Sequence, residues 1–181
     1  MRRARAGDRD AFDALVRRHA PGLYAVVVRL CASEHDAEEV TQEAFLRAWR
    51  GLPGFHDNAR FFTWLYRIGV NEARRRSGRA QPARPVVSLD AYRGREPEDH
   101  REQPHERAER AELRRDLECA IGGLTVEHRA ALVLRDIEGL STAQAADVLG
   151  LGEPAFKSRL HRARASLRAA MAHHQPPKTA G

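Results

Sequence analysis

A proline-rich segment between Arg79 and His105 divides the 181-residue chain into two parts and so limits the folds open to it. Proline lacks a backbone N–H and its ring clashes with the preceding turn, so it interrupts a helical repeat. On each side apolar residues recur at helical spacing, and no β-branched run alternates with a period of two. The sequence therefore predicts an all-α fold with two small helical domains joined by a flexible linker. We place the domains at 8–78 and 106–172, the linker at 79–105 and a disordered tail at 173–181.

The first part contains three apolar repeats. Pro21 interrupts the repeat between Asp10 and Leu30, which predicts two short helices or one kinked helix. The segment from Ser33 to Asp36 resembles a capping box at the start of a second helix. A third helix follows the loop from Phe55 to Ala59. The predicted core positions of these last two helices are Ala37, Val40, Ala44, Ala48, Phe61, Trp64 or Leu65, and Ile68.

The second part ends in a helix-turn-helix pattern. It begins with helical sequence in which Leu113, Leu117 and Ile121 are spaced by four, followed by a helix that Thr125 can cap and that Gly139 closes. A capping box at Ser141–Gln144 then opens a short helix that Gly150 terminates. Pro154 suits the first turn of a long last helix. The predicted buried stripe of this last helix is Phe156, Leu160, Ala163 and Leu167.

The last helix carries a basic face. Lys157, His161, Arg164 and Arg168 lie at i, i+4, i+7 and i+11, so they share one side of the helix. A helix of this kind fits the major groove of DNA, where its first residues reach base edges and later basic residues reach phosphates. The alternative is a solvated face of a purely structural helix. The net charge of +6 favours a nucleic-acid partner but does not by itself distinguish the two.

Two further faces occur in the first part. Glu39, Gln42, Glu43 and Leu46 form an acidic strip with an apolar edge, suited to docking on a protein, although many surface helices show such strips by chance. On the third helix, Thr63, Arg67, Asn71 and Arg74 align opposite the apolar stripe, among interleaved aromatic residues. Basic and aromatic side chains together can hold phosphates and stack on unpaired bases, although most of these aromatics are expected in the core.

The sequence lacks the signature motifs of several functional classes. The sequence has no glycine-rich phosphate loop, no GxSxG and no HExxH motif, so we predict no enzymatic activity, no cofactor and no metal site. It has no apolar run of about 18 residues and no signal-peptide h-region after Arg5. Cys31 and Cys119 are far apart in the sequence, and we predict that both are reduced and buried. These features predict a cytoplasmic protein.

Three segments together resemble the extracytoplasmic-function (ECF) sigma factors of the sigma-70 family. The segment from Asp36 to Trp49 looks like region 2.2, the segment from Phe61 to Ile68 followed by Asn71 resembles regions 2.3 and 2.4, and the segment from Leu124 to Leu167 resembles region 4. The similarity covers nearly the whole chain except linker and tail. It implies an RNA polymerase subunit that recognises the −35 and −10 promoter elements and assists promoter melting.

The resemblance also assigns roles to residues. The set that it implies for binding core polymerase is Asp36, Glu39, Gln42, Glu43 and Leu46. The set that it implies for the −10 element is Arg60, Thr63, Trp64, Arg67, Asn71, Arg74 and Arg75. The set that it implies for the −35 element is Glu153, Ala155, Lys157, Ser158, Arg159, His161, Arg162, Arg164 and Arg168.

The implied partners are the two large subunits of core polymerase, promoter DNA and an anti-sigma factor. One departure concerns the start of the last helix, where this chain has Glu153-Pro154-Ala155 in place of the family's small residue and Thr. Ala155 has no hydroxyl for a phosphate, and Glu153 repels phosphate unless it accepts from a cytosine amino group. The remaining alternative is a helix-turn-helix regulator that binds duplex DNA without being a polymerase subunit.

Overall fold

The computed structural model describes residues 1–55, 60–77 and 104–172, and every regular element in these ranges is helical. The prediction of an all-α fold is therefore confirmed. The N-terminal bundle contains α1 (Arg2–Arg5), α2 (Arg9–Val28), α3 (Glu34–Gly51), a 3-10 turn (Leu52–Gly54) and α4 (Phe61–Ser77). The C-terminal bundle contains α5 (Pro104–Gly122), α6 (Val126–Leu132), a π-helical turn (Val133–Ile137), α7 (Thr142–Leu149) and α8 (Glu153–Ala172).

Helix α2 is one continuous helix, so the prediction of a break at Pro21 is wrong in its two-helix form. The Asp8 side chain caps α2 by accepting a hydrogen bond from the Ala11 N–H at 3.0 Å. Pro21 lies inside the helix on its exposed side. The carbonyl that loses its hydrogen bond there belongs to Arg17, an exposed residue, and water can satisfy it.

The N-terminal bundle packs α2, α3 and α4 around one core. All four predicted core positions of α3, from Ala37 to Ala48, are fully buried, and Leu65 and Val70 fill the matching face of α4. Gly69 allows α2 and α4 to approach closely, since a Cβ at this position would lie 2.7 Å from Cδ1 of Leu23. Ser33 caps α3 as predicted by accepting from the Asp36 N–H at 3.1 Å.

The C-terminal bundle has the predicted helix-turn-helix. The capping box at α7 is complete, because the Ser141 hydroxyl accepts from the Gln144 N–H and the Gln144 side chain accepts from the Ser141 N–H. Gly150 ends α7 with φ +64°, in the left-handed region that glycine adopts without strain. Phe156 is fully buried and anchors α8 to the rest of the bundle. The helix after Thr125 is not uniform, since it passes into the π-helical turn at Val133.

The two bundles pack against each other. Helix α4 contacts α7 and α6, and buried apolar residues of both bundles form one continuous cluster. A buried ion pair joins Arg29 Nη1 to Glu138 Oε1 at 3.1 Å. The guanidinium of Arg129, also buried, donates to the Arg29 carbonyl at 3.4 Å and to the Gly122 carbonyl at 2.6 Å. The predicted linker lies outside the described residues up to position 103, and the predicted tail lies outside them entirely.

The two cysteines differ, which corrects the expectation that both are buried. Cys31 is 4% exposed and sits in the core of the N-terminal bundle. Burial, with a smaller contribution from the Asp36 charge, raises the pKa of the Cys31 thiol to about 12. Cys119 is exposed because it lies on the outer face of α5, whose Leu113 and Leu117 are also exposed. None of the described helices is long and apolar enough to cross a membrane.

Candidate functional site

An acidic cleft lies between α3 and α4. It is lined by Glu39, Gln42, Glu43, Leu46, Glu72, Arg75 and Arg76. The four residues of the predicted strip on α3 thus come together on one wall, with Leu46 half exposed at 51%. Such a surface offers carboxylates to a basic partner and an exposed apolar side chain for contact beside them.

Two chains of ion pairs link α3 to α4 across the cleft. The Arg47 guanidinium contacts Glu43 at 2.7 Å and Glu72 at 3.2 Å, and its hydrogen bond to Glu43 lowers the pKa of that carboxyl. Glu72 is buried and also pairs with Arg75. At the other end, Arg76 pairs with Glu39 and, at 2.8 Å, with Asp36.

The sequence reasoning missed two members of this cleft, Glu72 and Arg76. Both lie on α4, one helix away from the acidic strip, and Glu72 occupies a buried position that its charge gives no reason to expect. No local signal marks them, because their contacts depend on how α3 and α4 pack. The same packing places Arg75, predicted for the −10 element, in the acidic cleft and away from Arg67.

The predicted face of α4 is only partly exposed. Thr63 is 3% exposed, so the expectation that it faces outward is wrong. The physical reason is that α4 packs against α2, α3 and α7, which leaves little of its surface free. Asn71 is exposed and Arg60 is exposed just before the helix, whereas Trp64 is half-buried against Phe55, with ring centroids 4.9 Å apart.

The two arginines of this face contact the C-terminal bundle. The Arg67 guanidinium donates to the Asp147 carbonyl at 2.9 Å through Nε and also pairs with the Asp147 carboxylate. Arg74 lies 3.6 Å from the Glu127 carboxylate. Both contacts remain partly exposed, with 41% of the Arg67 and 32% of the Arg74 side chain accessible to water. The structure therefore brings the face predicted to bind unpaired DNA against acidic groups of α6 and α7.

The basic face of α8 points to solvent, as the sequence predicted. Its exposed members are Lys157, Ser158, His161, Arg162 and Arg168, with Arg159 half-buried beside them. The apolar stripe opposite fixes this orientation, because Phe156, Leu160 and Ala163 are buried. Glu153 and Ala155 are exposed in the first turn of the helix. The arrangement presents a helix surface of the width and charge that a DNA major groove accepts.

Arg164 differs from its neighbours on α8. Its guanidinium binds the Asp136 carboxylate through two hydrogen bonds, at 2.9 Å from Nε and 2.6 Å from Nη2. These bonds raise the pKa of Arg164 and tie α8 to the π-helical turn. The DNA contact predicted for Arg164 stays a prediction, and in the free chain its side chain, 47% exposed, pairs with Asp136. Spacing along α8 could not reveal the partner, which lies 28 residues earlier in the chain.

Comparisons with known proteins find matches to both bundles of the chain. A model described as Sigma-70 region 2 matches residues 15–82, and a model described as Sigma-70, region 4 matches residues 114–167. The RNA polymerase sigma-H factor of Pseudomonas aeruginosa is 36% identical over 176 residues, which cover 92% of this chain and 89% of that protein. The ECF RNA polymerase sigma-E factor of Escherichia coli is 33% identical over 172 residues, covering 92% and 90% respectively.

Solved structures show the same similarity. The structure of CnrH in complex with the cytosolic domain of CnrY matches with a TM-score of 0.69 and 32% identity, covering 96% of this chain and 95% of that one. The sigma factor RpoE of Bartonella quintana, solved with the anti-sigma factor NepR, matches with a TM-score of 0.65 over 90% of this chain and 97% of that one. At 22% identity the second match concerns the fold alone.

Proposed function

The chain belongs to the sigma-70 family as an ECF sigma factor, and we propose that it directs core RNA polymerase to promoters through three separate surfaces. The acidic cleft binds core polymerase, the face of α4 captures the melted −10 strand, and the basic face of α8 reads the −35 element. The protein acts as a non-catalytic subunit in the cytoplasm. The observation that carries this proposal is that one chain has an acidic cleft with an exposed apolar side chain beside it and, separately, a helix whose basic face is exposed.

The acidic cleft suits a basic protein partner better than it suits DNA. Its α3 wall carries Glu39 and Glu43, whose charges would repel phosphates, and Leu46 offers an apolar contact. Arg47 and Arg76 keep both carboxylates in place in the free protein. These pairs are solvent-exposed and contribute little to stability, so a partner's cations can replace them at small cost.

Removal of the acidic wall tests this assignment. We expect the triple variant Glu39→Arg, Gln42→Ala, Glu43→Arg to abolish core-dependent transcription, and the milder Glu39→Gln, Gln42→Ala, Glu43→Gln to weaken core binding without adding repulsion toward Arg47 and Arg76. Both should fold normally, because surface substitutions usually change stability by less than ~0.5 kcal/mol. Core affinity is measured by titration of labelled sigma factor, with circular dichroism to check the fold.

The matched control is Glu38→Arg, which reverses an exposed charge on α3 outside the cleft. It should bind core polymerase like the wild type. Wild-type core affinity in both triple variants would show that the docking surface lies elsewhere.

The two DNA surfaces should separate by experiment. Arg162 is exposed in the middle of α8, where a side chain can reach base edges if the helix lies in the major groove, so Arg162→Ala should cost about 1–3 kcal/mol and relax preference at one −35 position. Arg168 lies further along, so Arg168→Ala should weaken all sequences alike and lower the salt slope by ~1. Arg67→Ala or Asn71→Ala should spare duplex binding and impair opening at the −10 element.

The assay uses one promoter, identified by sequencing transcript 5′ ends after induction of the protein. Holoenzyme binding to duplex promoter DNA and permanganate-detected melting are measured for each variant. Equal defects of Arg67→Ala and Arg162→Ala in duplex binding, with no separable defect in melting, would contradict the division of roles. A protein that binds its promoter equally well without core polymerase would instead be a helix-turn-helix regulator.

A further inference from the structure

Two carboxylates of the acidic cleft share one arginine. The Arg47 guanidinium contacts Glu43 through Nε at 2.7 Å and Glu72 through Nη2 at 3.2 Å. The Glu43 side chain is 36% exposed, whereas the Glu72 side chain is 7% exposed. A cation of a docking partner can therefore reach Glu43 far more easily than it can reach Glu72. The two carboxylates compete for the same guanidinium, but Glu43 is the one that is open to a partner.

We propose that Glu72 is a positioning residue for core polymerase, because it draws Arg47 partly away from Glu43 and so keeps the Glu43 carboxylate available to a basic group of the partner. The inference rests on the proposed role of the acidic cleft in core binding. Glu72 acts through Arg47 from inside the protein, and polymerase itself contacts Glu43.

The burial of Glu72 makes its charge effective. A carboxylate that excludes water is less screened than one on the surface, so it attracts a neighbouring guanidinium more strongly. Glu72 also pairs with Arg75, and two guanidiniums together offset the cost of burying one anion. Arg75 lines the cleft, so this second pair holds a cation that would otherwise be free to neutralise Glu43.

The pKa of Glu43 reveals the cations that act on it. That pKa is lowered first by the hydrogen bond from Arg47, and further by the charges of Arg47, Arg50 and Arg75. Glu72 contacts two of these three arginines, Arg47 and Arg75. Without the Glu72 charge, both would act on Glu43 unopposed, and a partner would have to displace Arg47 from its remaining carboxylate.

The test uses full-length variants that separate positioning from structure. Glu72→Gln removes the buried charge and keeps the side-chain shape, Arg47→Ala removes the shared guanidinium, and a double variant combines the two. The matched control is Glu38→Gln, which removes one negative charge from an exposed position of α3 that does not line the cleft. Affinity for core polymerase is measured by titration of the labelled protein, and urea midpoints check the fold of each variant.

We expect Glu72→Gln to weaken core binding about two- to fivefold, the range that one exposed ion pair spans. Glu38→Gln should bind like the wild type. Arg47→Ala should bind more tightly than the wild type, because Glu43 then has no guanidinium to give up. In the Arg47→Ala background Glu72→Gln should cost less than twofold, since the arginine that it would release is absent. A merely structural role of Glu72 would not be suppressed in this way.

Titration of ¹³C-labelled Glu side chains by NMR supplies a second readout on the free protein, with Glu43 assigned by its loss in Glu43→Gln. The Glu43 carboxyl should titrate at lower pH in Glu72→Gln than in the wild type, and at higher pH in Arg47→Ala. An unchanged titration in Glu72→Gln would overturn the inference.

Three results with core polymerase would overturn it as well. They are wild-type affinity in Glu72→Gln, an equal loss from Glu72→Gln with and without Arg47, and wild-type or lower affinity in Arg47→Ala. The variant Glu39→Gln, Gln42→Ala, Glu43→Gln distinguishes this failure from failure of the proposed docking surface. If it binds core polymerase like the wild type while the Glu43 titration shifts as expected, the docking role of the cleft fails, and the role of Glu72 toward polymerase fails with it.

Discussion

The buried Arg29–Glu138 pair should make the two bundles unfold together, and its removal should uncouple them. The substitution Glu138→Ala removes the Glu138 carboxylate from the Arg29 guanidinium, which is 5% exposed and keeps its hydrogen bond to the Ala25 carbonyl. Breaking a buried ion pair by removing one partner costs about 3–5 kcal/mol, because an uncompensated charge stays in a region that excludes water. The exposed pair Arg67–Asp147 gives the contrast, since Asp147→Ala should cost about 0.2–1 kcal/mol.

Urea unfolding converts these energies into midpoints. With a slope of about 2 kcal/mol/M, a loss of 3 kcal/mol lowers the midpoint by about 1.5 M, and a loss of 1 kcal/mol lowers it by about 0.5 M. If the packing of the two bundles against each other contributes less than 3 kcal/mol to the free energy of unfolding, the bundles separate first. The loss of stability is then limited to that contribution. Glu138→Ala should then show two transitions in place of one.

The chain carries its own probe for this separation. Its two tryptophans, Trp49 and Trp64, both lie in the N-terminal bundle, so their fluorescence reports the unfolding of that bundle alone. Circular dichroism at 222 nm reports both bundles. The two probes should give coincident transitions in the wild type and in Asp147→Ala, and distinct midpoints in Glu138→Ala.

A hydrophobic replacement supplies the control. Arg29→Met/Glu138→Leu removes both charges and keeps the volume, so it should recover most of the lost stability and the coincidence of the two probes. The reasoning is refuted if Glu138→Ala and Asp147→Ala shift the midpoint equally, within about 0.5 kcal/mol, or if wild-type probes already diverge.

Three simpler predictions follow from burial and backbone geometry. At pH 8 a maleimide or disulfide reagent should label Cys119 quickly and leave Cys31 unlabelled until the chain unfolds, because Cys31 is buried and the pKa of its thiol is raised to about 12. Labelling is measured by mass spectrometry of the labelled peptides. Rapid labelling of Cys31 would contradict its buried position. Gly150→Ala should cost about 1–2 kcal/mol because its backbone is left-handed. Gly69→Ala should cost about 1–3 kcal/mol because the new Cβ overpacks against Leu23. Both losses are measured from urea midpoints, and a neutral result at Gly69 would mean that the Leu23 side chain shifts without cost.

The sequence predicted helices and caps well because these are decided locally. Ser33, Ser141 and Gly150 act at a helix end within a few residues, and the stripe from Phe156 to Leu160 follows from the helical period alone. The acidic strip on α3 and the basic face on α8 were visible for the same reason. Each is a set of residues on one helix, and spacing is enough to align them.

The predictions that failed all depend on which helix packs against which other helix. Periodicity identified the apolar face of α4 but not which helices cover its other faces, so Thr63 was expected in solvent and is buried. Asp136 lies 28 residues before Arg164, and Asp147 lies 80 residues after Arg67, so neither partner could be read from spacing. Cys119 was expected in a core because a cysteine in helical sequence is usually covered; here α5 leaves it outside.

The π-helical turn from Val133 to Ile137 makes the orientation of α8 depend on a single residue. The Glu138 N–H bonds to the Val133 carbonyl, five residues back, at 2.9 Å, so the turn holds one residue more than an α-helix would. Deleting that residue would restore regular geometry but rotate everything downstream by about 100° and shift it by about 1.5 Å. Asp136 would then no longer meet Arg164, and Glu138 would no longer meet Arg29. Relatives that exchange side chains freely in this segment should therefore still keep its length.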